Sequence, residues 1–134
     1  MKLKAIDHIG IAVHSVDAVK ETYQKAFGLE PAFEEVVEEQ KVRIVAFAIG
    51  GTRLEYMEPT AADSPISKFL EKKGEGLHHV AIAVDDVRNV LEHLKAAGFP
   101  LIDEAPRIGA EGKQIAFLHP KGFHKVLFEL TSGE

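Results

Sequence analysis

Residues 77–90 read LHHVAIAVDDVRNV, and residues 6–19 read IDHIGIAVHSVDAV. Set one above the other at an offset of 71, His79 falls on His8, Ile82 on Ile11, Ala83 on Ala12 and Val84 on Val13. Val87 then falls on Val16, and Val90 on Val19. The correspondence continues downstream. After one deletion Gly98 falls on Gly28 and Phe117 on Phe47, and past a hairpin loop four residues longer Glu129 falls on Glu55. An internal repeat of this length is an architecture, not a coincidence of composition.

Each half reads as βαβββ. A strand opens it, over about 5–13 and 78–84. Ser15 and Asp17, or Asp85 and Asp86, are candidate caps for helices over about 16–27 and 87–97. In the second helix Val87, Val90, Leu91 and Leu94 recur at i, i+3, i+4 and i+7, an apolar stripe that faces a core. Gly28 and Gly98 end the helices. Extended segments follow at 32–38, 41–49 and 53–58, and at 100–103, 114–118 and 125–131, with Gly50-Gly51 as a turn. The expected fold is α+β: two tandem βαβββ modules, about 4–58 and 77–131, forming one cupped mixed sheet with helices outside. They make a single domain over 1–134. The linker 59–76 holds a short helix over Pro65 to Lys73, because Ser64-Pro65 suits a cap followed by proline at the first helical position.

Alternation along a strand decides which side chains share a face. His8, Gly10 and Ala12 lie on one face of the first strand, and His79, Ala81 and Ala83 on one face of its repeat. Small residues there leave an open groove that a core would otherwise fill. His78 points the other way, toward the helix side or the strand end. Glu55 and Glu129 each interrupt an otherwise apolar strand. A lone histidine or glutamate in a strand is most often a hydrogen-bonded or solvated residue. Two histidines and two glutamates at repeat-equivalent positions are different, since buried carboxylates without a cation are costly. A divalent ion held by His8, Glu55, His79 and Glu129, with open positions for water or substrate, answers that cost.

Composition narrows the function. The 134 residues suit one domain, and 46% apolar with 28% charged residues is ordinary for a globular protein. A net charge of −5 argues against nucleic acid. The absence of cysteine excludes disulfides and thiolate metal sites. No apolar run reaches the ~20 residues of a membrane span. The opening MKLKAIDHIGIAV reads as a strand, not a signal peptide, so the expected location is the cytoplasm.

IDHIGIAV, SPISKFLEKKGEGLHHVAIAVDD, LIDEAPRIGAEGKQIAFLHPK and VLFEL resemble motifs of the vicinal oxygen chelate superfamily and, within it, of the methylmalonyl-CoA epimerases. The resemblance covers essentially the whole chain. DHIGIAV is shared widely across the superfamily; GEGLHH with GAEGKQIAFLHPK is more specific. The resemblance implies interconversion of (2R)- and (2S)-methylmalonyl-CoA by α-proton abstraction through an enolate. It carries metal ligation to His8, His79 and Glu129, with Glu55 where some members have glutamine, and it implies cobalt(II) or another divalent ion. Glu129 is the candidate base. One position departs: where some members carry a second glutamate, in the strand QKVRIVAF, this chain has Ile44. Glu39, Gln40 and Lys113, or a metal-adjacent water, are candidates for the second acid–base group. Arg107, Lys121 and Lys125, with Lys113, are candidates to meet the phosphates of CoA. His119 and His124 sit in the long hairpin loop, where a wall or gate is an alternative to simple exposure. A homodimer is expected from the superfamily. The rival readings are a glyoxalase I-like lactoylglutathione lyase and a metal-free small-molecule-binding module, like the drug-sequestering resistance proteins.

Overall fold

The structure is a computed structural model and describes residues 1–133. Its contacts divide the chain into two units. A terminal unit joins Met1–His8 to the chain from His79 onward, and a central unit spans Ile9–His78. Both boundaries fall at the paired histidine positions of the repeat. Strand β1 (Leu3–Ala12) and strand β5 (Gly76–Val84) each contribute residues to both units.

In the central unit, helix α1 (Val16–Phe27) starts where the Ser15 side chain accepts from Ala18 N at 3.1 Å. It stops at Gly28, whose φ of 61° is left-handed backbone that glycine adopts freely. Of the two expected caps, Ser15 is the one used. Three antiparallel strands follow: β2 (Phe33–Val37), β3 (Val42–Ile49) and β4 (Thr52–Pro59), in the order β2-β3-β4. Tyr23 of α1 stacks on Phe47 at 4.2 Å, and Tyr56 meets that ring edge-on. With Val13, Val16 and Val45 they form the core of this unit. The linker helix α2 (Pro65–Lys73) lies where the Ser64-Pro65 pair places it; fully buried Ser64 accepts from Ile66 N at 3.2 Å.

In the terminal unit, helix α3 (Val87–Ala96) is capped by Asp86, which accepts from Asn89 N at 3.2 Å. Its apolar stripe is buried as the periodicity predicts, with Leu91 1% exposed against Val84, Ala116, Leu118 and Leu130. The strands run in the order β5-β8-β7-β6, with β6 at Arg107–Ile108, β7 at Gln114–Leu118 and β8 at Phe128–Ser132. The β5–β8 pairing is parallel and the others antiparallel, so the sheet is mixed, as expected.

Three sequence expectations need correction. Residues 100–103 form no strand, only a single bridge between Leu101 and Leu118; Pro100 removes one donor there, and the true strand is β6. The last strand begins at Phe128 and not at 125, because His124 and Lys125 take positive φ values of 58° and 73°. Phe47 and Phe117 are not equivalent. Glu55 lies opposite Ala46, whereas Glu129 lies opposite Phe117. The offset there is 71, and it pairs Phe47 with Leu118. A one-residue slip reverses the face of every side chain in a strand. Phe47 and Leu118 are therefore the core residues, and Phe117 looks out from the other face.

Candidate functional site

His8, His79 and Glu129 come together in the terminal unit. Strand alternation brings them there. In β1 His8, Gly10 and Ala12 are buried while their neighbours are half-exposed. In β5 His79 and Ala81 are buried. Ala81 is the register partner of Glu129, so the glutamate emerges on the same face as His79. All three polar residues are 6% exposed.

The distances are those of a coordination shell. His79 Nε2 lies 2.9 Å from Glu129 Oε1, His8 Nε2 3.5 Å from the same oxygen, and the two Nε2 atoms are 3.2 Å apart. An ion about 2.0–2.2 Å from each donor, at angles from right to tetrahedral, separates neighbouring donors by about 3–3.5 Å. The three residues therefore fit a divalent cation without rearrangement, and two imidazoles with one carboxylate suit a transition metal.

Asp7 completes this arrangement, and sequence reasoning missed it. Its Oδ2 accepts from His8 Nδ1 at 2.8 Å. An ionised carboxylate can only accept, so a ring proton sits on Nδ1, and Nε2 is the atom turned toward Glu129 and His79. Carboxylates behind ligating histidines fix tautomer and orientation in this way. The signal was available in the sequence as Asp7 beside His8, but adjacent strand residues point to opposite faces, and only the backbone path shows that they meet.

Phe117 packs its ring edge-on against His79 at 5.5 Å between centroids. Burial raises the Glu129 carboxyl, but the hydrogen bonds and charge of His79 and His8 outweigh it and hold the group at about 2. Glu129 is thus an anion at neutral pH.

Glu55 belongs to the central unit, 3% exposed, with Arg53 Nε and Nη2 each 3.1 Å from its Oε2. Strand register puts Ile44, Ala46, Glu55 and Met57 on one face of the central unit, away from Phe47 and Tyr56. Ile44 is buried and cannot move a proton. His78 lies edge-on to Phe69 at 5.0 Å, consistent with a structural histidine. Glu39 is exposed, and the Gln40 carbonyl accepts from Ser64. Lys113 Nζ lies 3.7 Å from Glu111. His119, Lys121, His124 and Lys125 are exposed, and His119 Nδ1 accepts from Lys121 N. Arg107 lies over the ring of Phe117, close to the site and not at a distant rim.

Residues 7–117 match the Glyoxalase/Bleomycin resistance protein/Dioxygenase superfamily. An uncharacterised Bacillus subtilis protein, YqjC, is 45% identical over 96% of this chain and 91% of its own length. The mitochondrial methylmalonyl-CoA epimerase of Bos taurus is 35% identical over 96% of this chain and 74% of its own. A solved methylmalonyl-CoA epimerase in complex with methylmalonyl-CoA and NH4+ superposes with a TM-score of 0.92 at 42% identity, covering 98% of this chain and 96% of that one. The expected vicinal oxygen chelate fold is therefore the observed one. By sequence and fold alike, this chain belongs to the methylmalonyl-CoA epimerase family of the glyoxalase superfamily.

Proposed function

We propose that the protein is an epimerase that interconverts (2R)- and (2S)-methylmalonyl-CoA, with His8, His79, Glu129 and Glu55 as metal ligands and Glu129 as a base. The observation that carries this reading is the buried set of His8, His79 and Glu129, with donor atoms 2.9–3.5 Å apart. Glu55 joins the set as the repeat-equivalent of Glu129 and as a buried carboxylate. The two βαβββ modules, about 4–58 and 77–131, are proposed as the two halves of the single active unit.

Inverting the α-carbon requires removal of its proton and return of one to the opposite face. Negative charge then develops on the thioester oxygen. When bound, a divalent ion, in this proposal cobalt(II), supplies Lewis-acid stabilisation of that charge. His8 and His79 would hold the ion through Nε2, and Asp7 keeps a proton on His8 Nδ1, which leaves Nε2 as the atom that would donate to it. Glu129 is ionised and accepts the α-proton once its oxygen is within hydrogen-bond reach of it. Ile44 provides no second acid, so the proton returned on the far face comes from another group. No helix among the described residues is long and apolar enough to cross a membrane. A cytoplasmic homodimer is the proposed form.

The test is deuterium wash-in at the α-carbon of methylmalonyl-CoA, with metal analysis of the same sample. The proposal expects exchange that depends on about one bound divalent ion per chain. Exchange that persists at full rate after the ion is stripped would refute the metal assignment, and hemithioacetal isomerisation in its place would refute the substrate.

A further inference from the structure

We propose that Arg107 receives the free carboxylate of the acyl substrate and so selects carboxylated acyl-CoA thioesters over plain ones. The inference rests on the epimerase reading and adds a specificity residue to it. Register places Arg107 opposite Ile115, and Phe117 opposite Glu129. Residues two apart share a face, so Arg107, Phe117, Glu129 and His79 stand on one side of the terminal unit's strands. The Arg107 guanidinium carbon is 5.5 Å from the Phe117 ring centre, and that ring is 5.5 Å from the ring of His79. Two such steps put the cation no more than 11 Å from the candidate ligand.

The guanidinium is held but not used up. Asp103 Oδ2 accepts from Arg107 Nε at 3.3 Å and from Phe117 N at 2.8 Å. Asp103 is itself pinned, since its own N–H donates to Phe117 O at 3.0 Å. Only Nε is engaged among the described residues, and the Arg107 side chain is 34% exposed. Both terminal Nη groups are left as an open fork, the geometry that binds an oxyanion through two parallel hydrogen bonds. In the central unit Arg53 lies on Phe33 in the same manner at 5.6 Å, but its Nε and Nη2 both turn onto Glu55. The duplicated fold thus carries one arginine committed to an internal carboxylate and one that presents its fork outward.

An anion of acyl-CoA can be the acyl carboxylate or a phosphate. The long pantetheine arm carries the phosphates away from the thioester, whereas the malonyl-type carboxylate sits beside it. The short reach from His79 favours the carboxylate. Titration calorimetry with malonyl-CoA and propionyl-CoA, which differ in that one group, tests this on wild type, Arg107→Gln and Arg107→Lys of matched metal content. Arg107→Gln is expected to weaken malonyl-CoA binding roughly ten- to a hundredfold, leave propionyl-CoA within twofold, and be partly rescued by Arg107→Lys. Equal weakening of both ligands would assign Arg107 to a phosphate and overturn the proposal. Unchanged binding of both would overturn it as well. Absence of α-exchange in wild type, with the malonyl-CoA preference intact, would instead overturn the epimerase reading alone.

Discussion

Replacing Asp7 by asparagine isolates the part of the site that no donor–metal distance reveals. Asp7 Oδ2 lies 2.8 Å from His8 Nδ1, with the two side chains 15% and 8% exposed. The substitution keeps size and shape but removes the charge that fixes the histidine tautomer. A neutral amide accepts from Nδ1–H more weakly, and its NH2 face stabilises the opposite tautomer, in which a proton blocks Nε2. Such supporting carboxylates are worth about ten- to a hundredfold in metal affinity, or about 1.4–2.7 kcal/mol. The variant should therefore bind a divalent ion that much more weakly in a chelator competition, and its unfolding midpoint should rise less on metal addition, because an ion stabilises the folded state in proportion to the logarithm of its affinity. The metal-free midpoint serves as the control for folding. Affinity within twofold of wild type, with the metal-free midpoint unchanged, would refute the assignment of Asp7 as the group that prepares His8.

Two further outcomes follow from the same coordinates. Glu129 is held at about 2 against an ordinary 4.5. A lowered carboxyl pKa stabilises the folded state above the unfolded value, so this contribution is complete above about pH 4.5 and disappears as pH falls toward 2. Acid titration of the metal-free protein should show that loss, and Glu129→Gln should flatten it; an identical acid profile would count against the buried ion pair. Leu91 is 1% exposed in the α3 core, and Leu91→Ala should cost about 2–5 kcal/mol in denaturant unfolding. It should leave the metal affinity of the folded protein unchanged, since Leu91 packs on the face away from His79; a parallel loss of affinity would show that the core and site are coupled.

Much of this architecture was legible because duplication prints the same pattern twice. The strand–helix opening of each half, the Ser15 and Asp86 caps and the α3 stripe are local signals, and each fell within a few residues of its expected place. The same alternation that singled out His8, His79 and Glu129 is what buries them together. The errors lie where local signals are weak. β6 is two residues long and has no periodicity to read; its existence depends on the partner strand. Aligning Phe47 with Phe117 followed residue identity, whereas strand register, which is set by pairing, demanded a one-residue difference. Asp7 and Asp103 act through contacts to a neighbour's ring and to a distant backbone N–H. Neither contact leaves a spacing that a sequence can display. Arg107 was legible as a cation but not as one clamped within 11 Å of His79.

The most direct test of the central claim is metal content and α-deuterium exchange measured together on wild type and His79→Ala. His79 supplies the donor closest to Glu129, at 2.9 Å. The account predicts that wild type binds about one divalent ion and exchanges the α-proton, while His79→Ala loses both. A His79→Ala protein without bound metal that still exchanges at the wild-type rate would contradict it.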